Sequence, residues 1–223
     1  MKLLALDSAT EACSVALLHA GGLIERYELL GRGHAERLLP MVDDLLAEAG
    51  TGLSALDAIA FGRGPGGFTG LRIAAGITQG LAAGAKLPVL PVSDLAAVAS
   101  AGARLSGKKR ILVCMDARMG QVYWAAFDCN AGQPRALTEE AVADPADVIP
   151  PGPEPWFGAG HGFAAYPALV VSLGARLSGT AADLLPRASD IARIAALDFV
   201  AGRGLPAAQA LPVYLRNQVV HRR

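Results

Sequence analysis

The feature that most constrains this chain is the run Gly62-Arg-Gly-Pro-Gly-Gly-Phe-Thr-Gly70 together with the Leu-Arg-Ile-Ala-Ala-Gly-Ile-Thr-Gln-Gly80 that follows it. Eight of the 26 glycines lie between Gly62 and Gly84. An apolar run, Leu56 to Phe61, precedes the block, and a helix-like stretch, Leu71 to Ala83, follows it. Strand, glycine turn and helix in that order have the layout of a phosphate cradle. The Lys and Ser/Thr that complete a P-loop are absent, however, and Pro65 removes a backbone donor. Gly62-x-Gly64-x-x-Gly67 has the form of a dinucleotide fingerprint, but it does not follow the first strand. No acidic residue stands about 20 positions on to hold a ribose, where the chain reads Lys86-Leu-Pro-Val-Leu-Pro91. The glycines also continue into the helix, as Gly76, Gly80 and Gly84 at every fourth residue. Interior glycine costs roughly 1 kcal/mol relative to Ala, so Gly76 and Gly80 together cost roughly 2. Small residues on one face admit another helix closely. That helix belongs either to the same chain or to another subunit.

The 223 residues suffice for one large domain or two small lobes, with a core that needs no disulfide or metal staple. Lys plus Arg and Asp plus Glu number 20 each, so no global field points to nucleic acid or an anionic membrane. Cys13, Cys114 and Cys129 share no metal-like or CxxC spacing and read as reduced thiols. The apolar start Met1–Leu6 is interrupted by Asp7, Ser8, Thr10 and Glu11 before a signal peptide can form. With no apolar run of about 18 residues, the expectation is a soluble cytoplasmic protein.

Short apolar runs at 2–6, 13–18 and 23–30 predict a hairpin and a third strand. Residues 35–49 carry Leu38, Val42 and Leu45 at helical spacing, with Pro40 implying a start near Leu38 or a kink. Strand 56–61, helix 69–84, strand 87–91 and a helix capped by Ser93 follow. The pattern then restarts: Ile111-Leu-Val-Cys-Met-Asp116 ends in Asp and turns into a partner strand, Gln121 to Phe127, just as Leu3–Asp7 does 109 residues earlier. This weak repeat predicts two lobes related by duplication, in an α/β fold with mixed sheets. Residues 144–157 hold five of the fourteen prolines and predict a loop, and a last helix is expected after Ser189.

Asp7-Ser-Ala-Thr10 places a carboxylate and two hydroxyls at the hairpin turn. These either hold hydrated Mg²⁺ and nucleotide phosphates or simply form the turn; Asp116 offers the same choice in the second lobe. His19, His34, His161 and His221 include no pair at metal-binding helical spacing, so no metal site is expected. GxSxG is absent and no Cys–His pairing is visible. Gly158-Ala-Gly-His-Gly162 reads as a second glycine turn over a ligand or as a plain loop. Lys108–Arg110 and Arg222-Arg223 read as solvated basic surface.

Four segments occur in a set order: Asp7-Ser-Ala-Thr-Glu-Ala-Cys-Ser-Val-Ala-Leu17, Gly33-His-Ala-Glu-Arg-Leu-Leu-Pro40, Gly64-Pro-Gly-Gly-Phe-Thr-Gly-Leu-Arg-Ile73 and Pro212-Val-Tyr-Leu-Arg216. Together they resemble the bacterial TsaB (YeaZ) family, end to end but least in residues 130–190. The resemblance implies an actin/Hsp70-like ATPase (ASKHA) fold of two duplicated lobes, 1–104 and 105–223, each with a mixed sheet and flanking helices. The last helix would be free to pack back on the first lobe. It implies a role in making threonylcarbamoyladenosine (t6A) on tRNAs that read codons beginning with A. The family member there is the non-catalytic, activating partner of its paralogue TsaD, which carries two metal-binding histidines four residues apart. In this chain Leu38 stands four residues after His34, so that pair is missing.

The partners so implied are TsaD, in a heterodimer, then TsaE, a second copy of the chain when alone, and tRNA through the complex. No cofactor is expected beyond ATP or ADP with Mg²⁺ in the complex. The implied partner interface lies on helices 35–49 and 69–84, at Leu38, Met41, Val42, Leu45, Thr69, Arg72, Gly76 and Gly80. Asp7, Ser8 and Thr10 stand as a vestigial nucleotide site. The competing classes are a free-standing phosphotransferase of the same fold and a glycoprotease-like metallopeptidase. The first would need a second phosphate loop that Asp116-Ala-Arg-Met-Gly120 does not supply, and the second the missing histidines.

Overall fold

The computed structural model describes residues 1–130 and 133–216, so His221, Arg222 and Arg223 lie outside the described residues. The chain first builds β1 (Leu3–Asp7), β2 (Ala12–His19), β3 (Gly22–Leu29), α1 (His34–Glu48), β4 (Ala58–Gly62), α2 (Phe68–Ala85) and β5 (Val89–Val92). These strands form a sheet of order β3-β2-β1-β4-β5, antiparallel through β1 and parallel beyond it. After α3 (Asp94–Ser106) come β6 (Arg110–Asp116), β7 (Val122–Asp128), β8 (Arg135–Ala136), β9 (Ala141–Ala143) and β10 (Trp156–Ala159). The chain then adds α4 (Gly162–Ala165), α5 (Pro167–Leu173), β11 (Leu177–Ala181) and α6 (Ala188–Val200). The second sheet runs β8-β7-β6-β10-β11, with β9 also on β7, and repeats the strand senses of the first. β1 and β6, which end in Asp7 and Asp116, hold the same central place. The weak sequence repeat is thus a repeat of topology.

The central strands are buried on both faces and read as unbroken apolar runs. Within β1, Leu3 and Ala5 enter the inner core while Leu4 and Leu6 enter the outer one, as period-2 geometry requires. The outer core of the first sheet is closed by α1 and α2. The inner core contains α3 and α6 and draws residues from both sheets, from Leu3 and Ala60 to Val113 and Phe127. Here the helices exchange places. α3 packs on β6, β7 and β10 of the second sheet, whereas α6 packs on β1, β2, β4 and β5 of the first. A cut between residues 104 and 105 therefore separates the two sheets but runs through the end of α3 and against the packing of both helices.

Two boundaries differ from the sequence expectation for physical reasons. α1 begins at His34 and runs through Pro40. Both Pro40 and Glu36, whose carbonyl loses its helical donor, are exposed. α6 begins at Ala188, two residues earlier than Ser189 suggests, because the first lobe caps it: Ala188 N donates to Ser14 Oγ (2.9 Å) and Ser189 N to Glu25 Oε1 (2.9 Å). Ser93 caps α3 as read, its Oγ accepting from Ala96 N at 3.2 Å. Among the described residues no helix is long and apolar enough to cross a membrane.

Candidate functional site

The glycine block divides into two halves with opposite surroundings. In the first half, each glycine makes room for another part of the same chain. A Cβ on Gly70 would stand 1.8 Å from Ser8 O, and one on Gly66 would stand 2.5 Å from Ala9 O. One on Gly64 would meet Val213 O at 2.6 Å. The start of α2 is therefore pressed directly onto the β1–β2 turn. Gly67 N donates to Ala9 O (2.7 Å) and Ser8 Oγ donates to Gly70 O (2.8 Å), which closes that contact.

Asp7 and Ser8 are buried at this contact, while Ser8 and Thr10 also border the cleft between the lobes. Asp7 Oδ1 accepts from Ala9 N (3.2 Å) and Thr10 Oγ1 from Ala12 N (3.1 Å), as ordinary turn formers do. Asp116 does the same in the second lobe, accepting from Arg118 N at 2.7 Å and from Tyr166 Oη at 2.8 Å. Asp7 also faces a second buried carboxyl, Asp94 at the first position of α3, a pairing that no local pattern marks. A Cβ on Gly62 would lie 2.3 Å from Asp94 Oδ1 and 2.4 Å from Asp7 Oδ1. Asp94 Oδ2 accepts from Gly64 N (2.5 Å), but Asp7 Oδ2 and Asp94 Oδ1 have no other partner. One proton held between the carboxyls satisfies both. Burial pushes Asp7 up to about 6, and burial beside Asp7 holds Asp94 well above the usual carboxylate range. A fully buried carboxyl raised toward neutrality is a poor ligand for the Mg²⁺ of a nucleotide.

In the second half, the glycines face outward. α2 buries Leu71, Ala74, Ala75, Thr78 and Ala82 at helical spacing and leaves Thr69, Arg72, Gly76, Gly80, Ala83 and Gly84 exposed. A Cβ at Gly76, Gly80 or Gly84 would meet no heavy atom within 4 Å. At the first turn, Arg72 stacks its guanidinium 3.8 Å above the Phe68 ring and donates from Nε to Tyr214 Oη at 3.0 Å. The Phe68 and Tyr214 rings lie 5.2 Å apart. Phe68 is 45% and Tyr214 38% exposed, an aromatic–arginine cluster continuous with the glycine face.

The structure does not bring Leu38, Met41, Val42 and Leu45 to that face. All four are buried against Leu4, Leu6, Cys13, Val15 and Phe61. An amphipathic helix has one apolar stripe, and the outer face of the first sheet takes it, at roughly 1.5–3 kcal/mol per buried side chain. What α1 leaves exposed is its opposite side, with Leu39, Pro40, Asp43 and Ala47.

Between the lobes lies a cleft of about 1180 Å³ whose walls include Thr10, His34, Arg32, Arg118, His161 and Arg216. His34 Nε2 bonds to Thr10 O at 3.0 Å, and burial holds His161 below its ordinary pKa. A Cβ on Gly160 or Gly162 would stand 2.5 or 2.7 Å from Cys114 O, while His161 between them borders the cleft. The two glycines seat β10 and α4 on β6 much as Gly66 and Gly70 seat α2 on the β1–β2 turn.

The model of the family described as "TsaD: tRNA N6-adenosine threonylcarbamoyltransferase" matches residues 21–203. A TsaB of Escherichia coli K12, named a tRNA threonylcarbamoyladenosine biosynthesis protein, is 44% identical over 98% of this chain and 96% of its own length. The chain belongs to the TsaB (YeaZ) family. Its likeness to TsaB of Haemophilus influenzae is 41% identity over 98% of the chain and 95% of the relative. The solved YeaZ from Pseudomonas aeruginosa superposes with a TM-score of 0.90 at 51% identity, covering 96% of this chain and 99% of that one. The activator of 2-hydroxyisocaproyl-CoA dehydratase from Clostridium difficile, at 10% identity and a TM-score of 0.50, shares the fold alone. That fold is the actin-like ATPase fold expected from the TsaB resemblance.

Proposed function

We propose that the chain acts in tRNA threonylcarbamoyladenosine biosynthesis, on tRNAs that read codons beginning with A, as a non-catalytic subunit. Its partner is the catalytic paralogue of the TsaD family, docked on the outward face of α2 at Thr69, Arg72, Gly76 and Gly80. Support for the pathway comes from near full-length identity to relatives named for it. Support for docking comes from one observation above all: Gly76 and Gly80 in the interior of an 18-residue helix, and Gly84 in its last turn, face open space. Among the described residues nothing offsets the roughly 1 kcal/mol that Gly76 and Gly80 each cost relative to Ala, whereas a helix packed against them would.

The same face serves a second copy of the chain when the paralogue is absent, and TsaE and tRNA join through the assembled complex. Support for a non-catalytic role comes from His34, whose partner position four residues on is the buried Leu38, and from the sealed Asp7. A nucleotide with Mg²⁺ that acts in the complex is held by groups other than Asp7 and Ser8. Co-expression with the TsaD-family paralogue of the same genome tests the reading by size exclusion and a threonylcarbamoyl-transfer assay with and without this chain. Co-elution and a dependence of transfer on the chain are expected. Full transfer by the paralogue alone would remove the proposed role.

A further inference from the structure

The segment Pro212-Val-Tyr-Leu-Arg216 belongs neither to a helix nor to a sheet, yet it is fastened at both ends. After α6 the chain returns over the first lobe, where Leu205 and Val89 exchange backbone hydrogen bonds (2.9 and 2.8 Å). Ala210 is buried, and its carbonyl accepts from Gln79 Nε2 at 3.1 Å. Val213 N then donates to Arg63 O (2.7 Å), and Val213 O fills the space left by Gly64. Tyr214 closes on Phe68 and Arg72 at the first turn of α2.

Two residues later the chain has reached the other lobe. Arg216 Nη2 donates to Gln121 Oε1 (2.6 Å) and to Arg118 O (3.4 Å), and Nη1 points at Met119 Sδ (3.1 Å). The β6–β7 turn that it grips holds Arg118 at φ 61° and Met119 at φ 57°. Two successive non-glycine residues keep that left-handed conformation only where neighbours hold them in it. Asp116 holds the turn from one side and Arg216 from the other. Val213 to Arg216 also form part of the cleft wall.

We propose that Pro212–Arg216 is a latch that couples docking on α2 to the width of the interlobe cleft. The proposal rests on the docking reading above. A partner on the α2 face removes water from the Phe68–Arg72–Tyr214 cluster, which strengthens its stacking and its hydrogen bond. Tyr214 so fixed draws Arg216 onto the β6–β7 turn and holds the cleft narrow. Coupling between two sites is reciprocal. Release of Arg216, which lies off the α2 face, must then weaken docking.

The test uses the full chain with spin labels at Ser54→Cys and Ala165→Cys, one on each lobe, in a Cys129→Ser background, with and without the TsaD-family paralogue. In the wild type, docking narrows the interlobe distance distribution. Arg216→Ala lengthens and broadens that distribution in the free chain and weakens docking by about fivefold or more, within the usual range of coupling between sites. Gln121→Ala removes the acceptor on the opposite lobe and reproduces both effects, with little further change in the double variant. Wild-type distances in Arg216→Ala overturn the latch, and so does a widened cleft with unaltered affinity. Gly76→Leu separates the two readings: retained docking in that variant overturns the docking face, while the distances in Arg216→Ala still decide whether the strap holds the lobes.

Discussion

Gly70 and Gly80 lie on the same helix, ten residues apart, and the chain uses them for opposite purposes. At Gly70 the backbone of Ser8 stands where a methyl group would go; at Gly80 there is nothing. Glycine-rich sequence alone does not distinguish a residue excluded by its own chain from one left vacant for another. The difference is set by which face of α2 the residue occupies, because Leu71, Ala74, Thr78 and Ala82 commit one face to the core. The first half of the block is therefore closed by the fold, and the second is left open.

The same substitution in the two halves should break the molecule in one place and strengthen it in the other. Gly70→Ala has the largest expected effect, a destabilisation on the order of 3 kcal/mol or more, because neither backbone has room to move. It is read as a lowered urea midpoint or a loss of soluble protein, and a midpoint equal to the wild type's would refute the contact. Next in size is the carboxyl pair that Gly62 admits. Both carboxyls are raised in the folded chain, so their contribution is full below the ordinary carboxylate range near 4 and is lost as pH rises through about 6 and above. Asp94→Asn should gain on the wild type by roughly 1–3 kcal/mol between pH 5 and pH 9. Parallel pH–stability curves for the two proteins would exclude the shared proton. The smallest effect is that of Gly80→Ala, which should raise the stability of the isolated chain by about 1 kcal/mol. A loss of stability there would mean that the outer face is not open.

Much of the fold is legible in the sequence, and the reasons differ by region. β1 to β5 and α1 to α3 follow from period-2 and period-3.6 patterning, from Ser93 as a cap and from turn residues. The topological repeat shows in two strands ending in Asp7 and Asp116. β8 to β11, α4 and α5 are short and lie among prolines, so neither period has room to declare itself. The start of α6 is hidden because Ser14 and Glu25, which cap it, lie 174 and 164 residues away.

The exposed face of α2 was legible in the sequence, whereas the apolar stripe of α1, expected to face a partner, is buried. The spacing of Thr69, Arg72, Gly76 and Gly80 marks an outward face, while Leu38, Met41, Val42 and Leu45 form a stripe that looks the same whether it meets a partner or its own sheet. Phe68 and Tyr214 carried no signal of their joint position. Arg72 and Tyr214 meet across 142 residues, and Asp7 and Asp94 also meet without any local pattern to link them.

The direct measurement is the affinity of Gly76→Leu for the TsaD-family paralogue, with the thermal midpoint of the isolated variant taken alongside. A leucine at Gly76 enters open space in the free chain and collides with a helix seated on it. The account predicts loss of co-elution and at least a tenfold weaker Kd, about 1.4 kcal/mol, with an unchanged or higher midpoint. Wild-type affinity in a folded Gly76→Leu chain would contradict it.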